Sequence, residues 1–232
     1  MTNPEQTAQS CAPKSITVCA ISDTHGYHSR ITVPPCDVLV HAGDWTRGRN
    51  SRDEYAGFLR WLSEQPAAHK ILVPGNHDFV CEDEPDWCSA LARALDVHLL
   101  IHEPLKLVAN DRTLSVFGSP WQPWFYDWAF NVRRDTERAA LWQQIPEATE
   151  LLITHCPAHG TLDYVERGEH VGCAPLRNRI TALPNLKLHV FGHIHEGAGA
   201  LEGQHVSWNA ASVDARYRLI TPKAQVRVLE LG

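Results

Sequence analysis

Ile71-Leu72-Val73-Pro74-Gly75-Asn76-His77-Asp78 is an apolar run halted by Pro-Gly and followed at once by three side chains able to bind metal or move protons. The run reads as a buried strand, and Pro-Gly as the turn that ends it. The same layout recurs on both sides. Upstream, residues 16–21 lead into Ser22-Asp23-Thr24-His25, and residues 37–41 lead into Ala42-Gly43-Asp44. Downstream, residues 151–154 lead into His155, and residues 186–191 lead into Gly192-His193-Ile194-His195. Chemistry gathered at strand ends is the habit of α/β proteins.

Helical patterns separate several of these strands. In residues 53–64, Tyr55, Phe58, Leu59 and Leu62 fall at i, i+3, i+4 and i+7, one apolar face, and Pro66 closes the segment. Residues 86–95, 135–144 and 174–183 read as further helices. In the middle, residues 97–101, 105–108 and 113–117 are short strands with no room for helices between them, so antiparallel pairing is expected. Residues 206–208 and 226–229 read as a closing hairpin. The alternation predicts mixed sheets covered by helices. No repeat, low-complexity segment or linker divides the chain. The expectation is a loose tail over residues 1–14 and a single domain over residues 15–232.

Composition bounds the function. With 232 residues and 44% hydrophobic content the chain is long and apolar enough to bury a core, unlike a disordered one. Its apolar runs fall far short of the roughly 18 residues a membrane span needs, and residues 1–15 lack the apolar centre of a signal peptide. Lys and Arg total 21 against 27 Asp and Glu, a net charge of −6, which argues against a partner that is a nucleic acid polymer. The seven cysteines are odd in number, scattered, and form no CxxC, which reads as reduced thiols in a cytoplasmic protein. Cys173 and Arg179 have Cys-x5-Arg spacing, but Pro175 removes a backbone N–H that a phosphate cradle there requires. Cys156, next to His155, reads as a small buried residue rather than a nucleophile.

The strand-end side chains have the character of metal ligands. In an extended chain, i and i+2 project to one side about 6–7 Å apart, so Asp23 and His25 are expected to converge, and His193 and His195 to reach two neighbouring ions. Paired metals in hydrolases sit roughly 3.5–4 Å apart. Taken singly, each segment is an ordinary turn. All five, in this order and each at a strand end, are not.

The ordered set Asp-x-His, Gly-Asp, Gly-Asn-His-Asp, lone His, Gly-His-x-His resembles the metallophosphoesterase (calcineurin-like phosphoesterase) superfamily. Gly118-Ser119-Pro120-Trp121-Gln122-Pro123-Trp124-Phe125, Trp128-Ala129-Phe130-Asn131, Gly172-Cys173 and residues 187–197 are similar to its metallophosphoesterase-domain-containing phosphodiesterase branch. The resemblance spans about residues 15–215. It implies a four-layer αββα sandwich of two mixed β-sheets flanked by helices, with a dinuclear metal site at strand-end loops. It implies that Asp23, His25 and His195 hold one metal, that Asn76, His155 and His193 hold the other, and that Asp44 bridges them. His77 would contact the substrate phosphate or protonate the leaving oxygen, and Asp78 would orient His77. The implied reaction is phosphoester hydrolysis, foremost of small nucleotide-type and cyclic diesters, by a metal-bridging hydroxide. The alternatives are a phosphomonoesterase or a non-catalytic scaffold on the same fold. Nitrogen and oxygen donors suit Mn, Fe, Co or Zn, without choosing among them. The aromatic run Trp121, Trp124, Phe125, Tyr126, Trp128, Phe130 has two readings: a hydrophobic lid core, or a stacking surface for a nucleobase or aryl leaving group with Trp121, Trp124 and Phe125 as the contacts.

Overall fold

A strand that is apolar on both faces must be covered on both faces, and that requirement sets the layers here. The computed structural model describes residues 15–49 and 51–230; the expected tail over residues 1–14 lies outside them. Along β1 (Ser15–Ile21), Ile16, Val18 and Ala20 face one side, Cys19 and Ile21 the other, and all are buried. β2 (Cys36–His41) repeats this, with Val38 and Val40 opposite Leu39. α1 (Arg52–Ser63) follows, started by a capping box in which the Ser51 hydroxyl accepts from Glu54 N and the Glu54 carboxylate accepts from Ser51 N. Then come β3 (Ala67–Leu72), α2 (Phe79–Asp83), α3 (Pro85–Ala94), β4 (His98–Leu99), β5 (Glu103–Ala109), β6 (Arg112–Ser119), β7 (Gln122–Pro123) and β8 (Asn131–Val132). The remainder is α4 (Asp135–Trp142), β9 (Leu151–Thr154), β10 (Tyr164–Val165), β11 (Glu169–His170), α5 (Ala174–Ile180), β12 (Leu188–Phe191), β13 (Gly199–Leu201), β14 (Val206–Asn209) and β15 (Gln225–Glu230).

Two large mixed sheets result, ordered β15-β1-β2-β3-β4 and β13-β14-β12-β9-β6-β5. They face each other across one apolar layer built by Ile16, Val18, Val38, Val40 and Ile71 from the first and Val116, Ile153, Leu188, Val190 and Trp208 from the second. The outer face of the first sheet packs on Tyr55, Phe58, Leu59 and Leu62 of α1 and on α2 and α3. That of the second packs on Trp142 of α4 and on Leu176 and Ile180 of α5. The four-layer αββα sandwich is the architecture observed.

Two pairings differ from expectation. Residues 97–101 do not join the antiparallel set. β4 lies parallel to β3 in the first sheet, because α3 supplies the crossover that parallel pairing needs, and β5 and β6 alone form the antiparallel hairpin. β14 and β15 do not form a hairpin either. β14 runs parallel to β12, while β15 crosses to the first sheet and pairs antiparallel with β1, Ile16 opposite Leu229. At the carboxyl end of β1, Ser22 N donates to Ala210 O and Ser212 N to Ser22 O, which stitches the two sheets together beside the loops described next.

Candidate metal centre

β1, β2 and β3 in one sheet and β9 and β12 in the other end at the same edge, and their following loops carry all seven expected ligands. The loops are not extended, as the i, i+2 argument supposed. Asp23 (φ 50°), His25 (φ 41°), Asp44 (φ 59°) and His193 (φ 69°) all sit in the left-handed region. For a residue with a Cβ this conformation costs on the order of 1–3 kcal/mol, and it is kept where surrounding contacts impose it. Those contacts are visible. Asp78 is buried and its Oδ2 accepts from Asp44 N (2.7 Å) and Gly75 N (2.7 Å). Asp44 Oδ1 accepts from His77 N (2.8 Å), and the Asp23 carboxylate accepts from His193 N at 3.0 and 3.1 Å. Glycine is required where the loops touch: a Cβ on Gly192 would run into the Asp23 carboxylate, and one on Gly75 into Asp44 Oδ1.

Asp78 therefore holds backbone, not the His77 ring as expected, and His77 Nδ1 is buried without a hydrogen-bond partner. A carboxylate accepting two N–H groups beside Asp44 fixes both loops at once. Asp78→Ala is expected to lower stability by about 3 kcal/mol in urea unfolding, because two buried N–H groups lose their acceptor.

The donor atoms converge. Oxygens of Asp23 and ring nitrogens of His25 and His195 lie within 4.8 Å of one another, as do donor atoms of Asp23, Asp44 and His155. Nδ1 of His25, His155 and His195 faces a backbone carbonyl: Thr46 O at 2.7 Å, Ala42 O at 2.8 Å and Asp214 O at 3.2 Å. Each Nδ1 must then carry the hydrogen, which leaves the lone pair of the neutral ring on Nε2. These lone pairs face other acceptors. His25 Nε2 is 3.2 Å from His195 Nε2, and His155 Nε2 is 2.9 Å from Asn76 Oδ1 and 3.4 Å from Asp44 Oδ2. Acceptors turned on acceptors in a buried site call for a cation between them, with carbonyls steering the far nitrogens. The donor set fits divalent metal ions of the borderline kind.

The electrostatics say the same. Burial works against charge on Asp44, but His155 and His77 outweigh it and hold the carboxyl well below its usual range. Asp23 is likewise lowered, against its own burial, by the adjacent His195. Burial would keep His155 neutral, yet Asp44 pushes its pKa up to about 9. Burial and the neighbouring His155 push His193 down to about 3. The pair of carboxylates thus draws positive charge into the centre, and a dication meets that demand better than a proton does.

Asp44, Asn76, His77, His193 and His195 open on a cleft of about 210 Å³ walled by Phe125, Trp128 and Tyr217. Of the expected aromatic contacts, Phe125 is on that wall. Trp121 is turned into the core against Phe130, and Trp124 lies against Arg133, so neither lines the cleft. Trp128, whose ring centroid is 4.1 Å from that of His77, takes the place expected of them. Tyr217 had no sequence signal; its ring lies 4.8 Å from His25 and 5.3 Å from His195. His41 is a buried strut, its ring accepting from Gly43 N and bonding Thr24 Oγ1, and burial pushes its pKa down to about 3. Asn209 was also missed; its side chain donates to Ile194 O at 2.7 Å and braces the loop that carries His193 and His195.

The chain matches known proteins over most of its length. Residues 16–197 match the family described as calcineurin-like phosphoesterase. The chain is 35% identical to human metallophosphoesterase domain-containing protein 1 over an alignment of 224 residues, covering 88% of this chain and 68% of that protein. Among solved structures, a phosphopantetheinyl hydrolase from Mycobacterium tuberculosis superposes with a TM-score of 0.64 at 18% identity, covering 94% of this chain and 97% of that one. A protein from Thermus thermophilus does so with a TM-score of 0.60 at 14% identity, covering 92% and 99%. These two show the fold.

Proposed function

This chain belongs to the calcineurin-like phosphoesterase family, one of metal-dependent phosphoester hydrolysis, and from that premise we propose that it is a phosphodiesterase acting on small nucleotide-type diesters, cyclic ones included. The observation that carries the reading is the set of neutral-ring lone pairs and carboxylates turned inward on one buried point. In this reading Asp23, His25 and His195 hold one cation, Asn76, His155 and His193 the other, and Asp44 both. When bound, the cations supply charge for the phosphoryl oxygens and lower the pKa of the water that attacks phosphorus. Mn, Fe, Co and Zn all suit these donors.

The rest falls to the protein. Asp78 keeps the loops of Asp44 and of residues 75–78 in register. His77 stands over the centre with Nε2 3.8 Å from Asp44 Oδ2, placed to give a proton to the departing oxygen. Phe125, Trp128 and Tyr217 limit water around the substrate. The activity is assigned to one domain over residues 15–232. Six free cysteines among the described residues support a reducing, cytoplasmic setting. Among those residues no helix is long and apolar enough to cross a membrane.

Metal-supplied protein assayed on matched aryl phosphodiesters and phosphomonoesters tests the reading. It expects the diester to have the higher kcat/KM. A clear monoester preference would replace diesterase with monoesterase, and no turnover with Mn, Fe, Co or Zn would leave a non-catalytic scaffold.

A further inference from the structure

Beside the metal cleft lies a broad, shallow recess, largely open to solvent and lined mainly by apolar groups of Phe79, Phe125, Tyr126 and Trp128, with Arg49 and Asp127 at its margin. Phe125 and Trp128 line both spaces, so the recess continues the cleft. It continues it on a particular side. From His77 the path runs to the Trp128 ring at 4.1 Å and from Trp128 to Phe79 at 6.0 Å, and the Arg49 guanidinium lies 4.5 Å from the Phe79 ring. A group whose oxygen takes a proton from His77 has Trp128 next to it and the recess beyond.

The recess is built, not incidental. Phe125 is 43% exposed and Tyr126 65%, an unfavourable display of rings to water. Their loop is nevertheless held firmly. Asn131 Oδ1 accepts from Phe125 N (3.1 Å), and its amide nitrogen donates to Tyr126 O and Trp128 O, both at 2.8 Å. Ala129 N donates to Asn76 O, tying the loop to an expected ligand's own backbone, and Phe130 N donates to Glu82 Oε1. Tyr126 itself has a left-handed backbone, φ 48°. A loop backbone held in advance presents its rings to a partner at less entropic cost.

We propose that this recess receives a flat aromatic ring carried by the leaving group of the phosphoester, held there by the rings of Phe79, Phe125, Tyr126 and Trp128. The proposal rests on the phosphoester-hydrolase reading. Aromatic faces with few polar groups recognise a ring by its π-surface rather than by a hydrogen-bond pattern. The site therefore separates aromatic from aliphatic esters and discriminates little among bases. A nucleobase and an aryl group share this chemistry.

Competitive inhibition of the metal-loaded full chain tests it with two series: methyl-, benzyl- and naphthylmethylphosphonate for aryl groups, and ribose 5-phosphate against 5′-AMP for a base. The inhibition constant is expected to fall roughly tenfold or more when the ring is added. That ratio should collapse toward unity in Tyr126→Ala, an exposed position, and shrink in Asn131→Ala, which keeps every ring but frees the loop. A ratio seen in one series only identifies aryl or base as the occupant and supports the proposal. If methylphosphonate inhibits and phosphoesters turn over, but the ring adds nothing in either series, the recess proposal is wrong and the hydrolase reading stands. If nothing inhibits and nothing turns over, the hydrolase reading fails and takes the proposal with it.

Discussion

Asp44→Asn is expected to strip the protein of both metal ions and of measurable turnover while leaving it folded. The loop survives because what holds it is not the Asp44 charge. Asp44 N still donates to Asp78, and an asparagine Oδ1 still accepts from His77 N. What changes is the other carboxylate atom. Asp44 Oδ2 lies 3.4 Å from His155 Nε2 and 3.9 Å from His25 Nε2, between rings on opposite sides of the centre. An amide there removes one of the two carboxylates and can turn N–H groups toward those nitrogens. The loss of several kcal/mol of transition-state charge stabilisation amounts to roughly a thousandfold or more in rate. Elemental analysis of the variant, with circular dichroism to confirm the fold, checks this. Two metals per chain retained in Asp44→Asn would remove Asp44 from the bridging position.

The second large effect is the opposite in kind: His77→Ala keeps its metals and loses speed. The His77 ring contacts Trp128 and lies 5.0 Å from the His25 ring, but none of the carbonyl bonds that steer His25, His155 and His195 involves it. As proton donor to the leaving oxygen it is worth roughly 10² to 10⁴ in kcat. The loss should be largest for esters of weakly acidic alcohols and small for nitrophenyl esters, whose leaving groups need no proton. Loss of metal, or a loss of rate equal for every leaving group, would contradict the assignment.

How much of this was legible beforehand depended on whether the signal was local. Strands β1, β2, β3, β9 and β12 and the apolar face of α1 could be read because each is a short apolar pattern bounded by its own stop. The places of β4 and β15 could not, since a neighbour in a sheet is chosen by crossover length and by which edge stays open, not by the strand's own residues. The loops that carry the seven expected ligands meet at one edge because each follows a strand whose end is fixed. Their convergence, however, comes from left-handed backbone at Asp23, His25 and His193, which non-glycine residues do not announce. The same reason hid Tyr217 (φ 57°), whose ring reaches the cleft from an irregular loop. It also explains why Trp128 rather than Trp121 or Trp124 lies on His77: residue type alone cannot say which rings of a run turn inward.

Anomalous scattering from crystals grown with Mn or Zn puts the central claim to its most direct test. The account predicts two peaks roughly 3.5–4 Å apart, one against Asp23, His25 and His195, the other against Asn76, His155 and His193, with Asp44 touching both. A single peak, or metal bound away from these side chains, would contradict it.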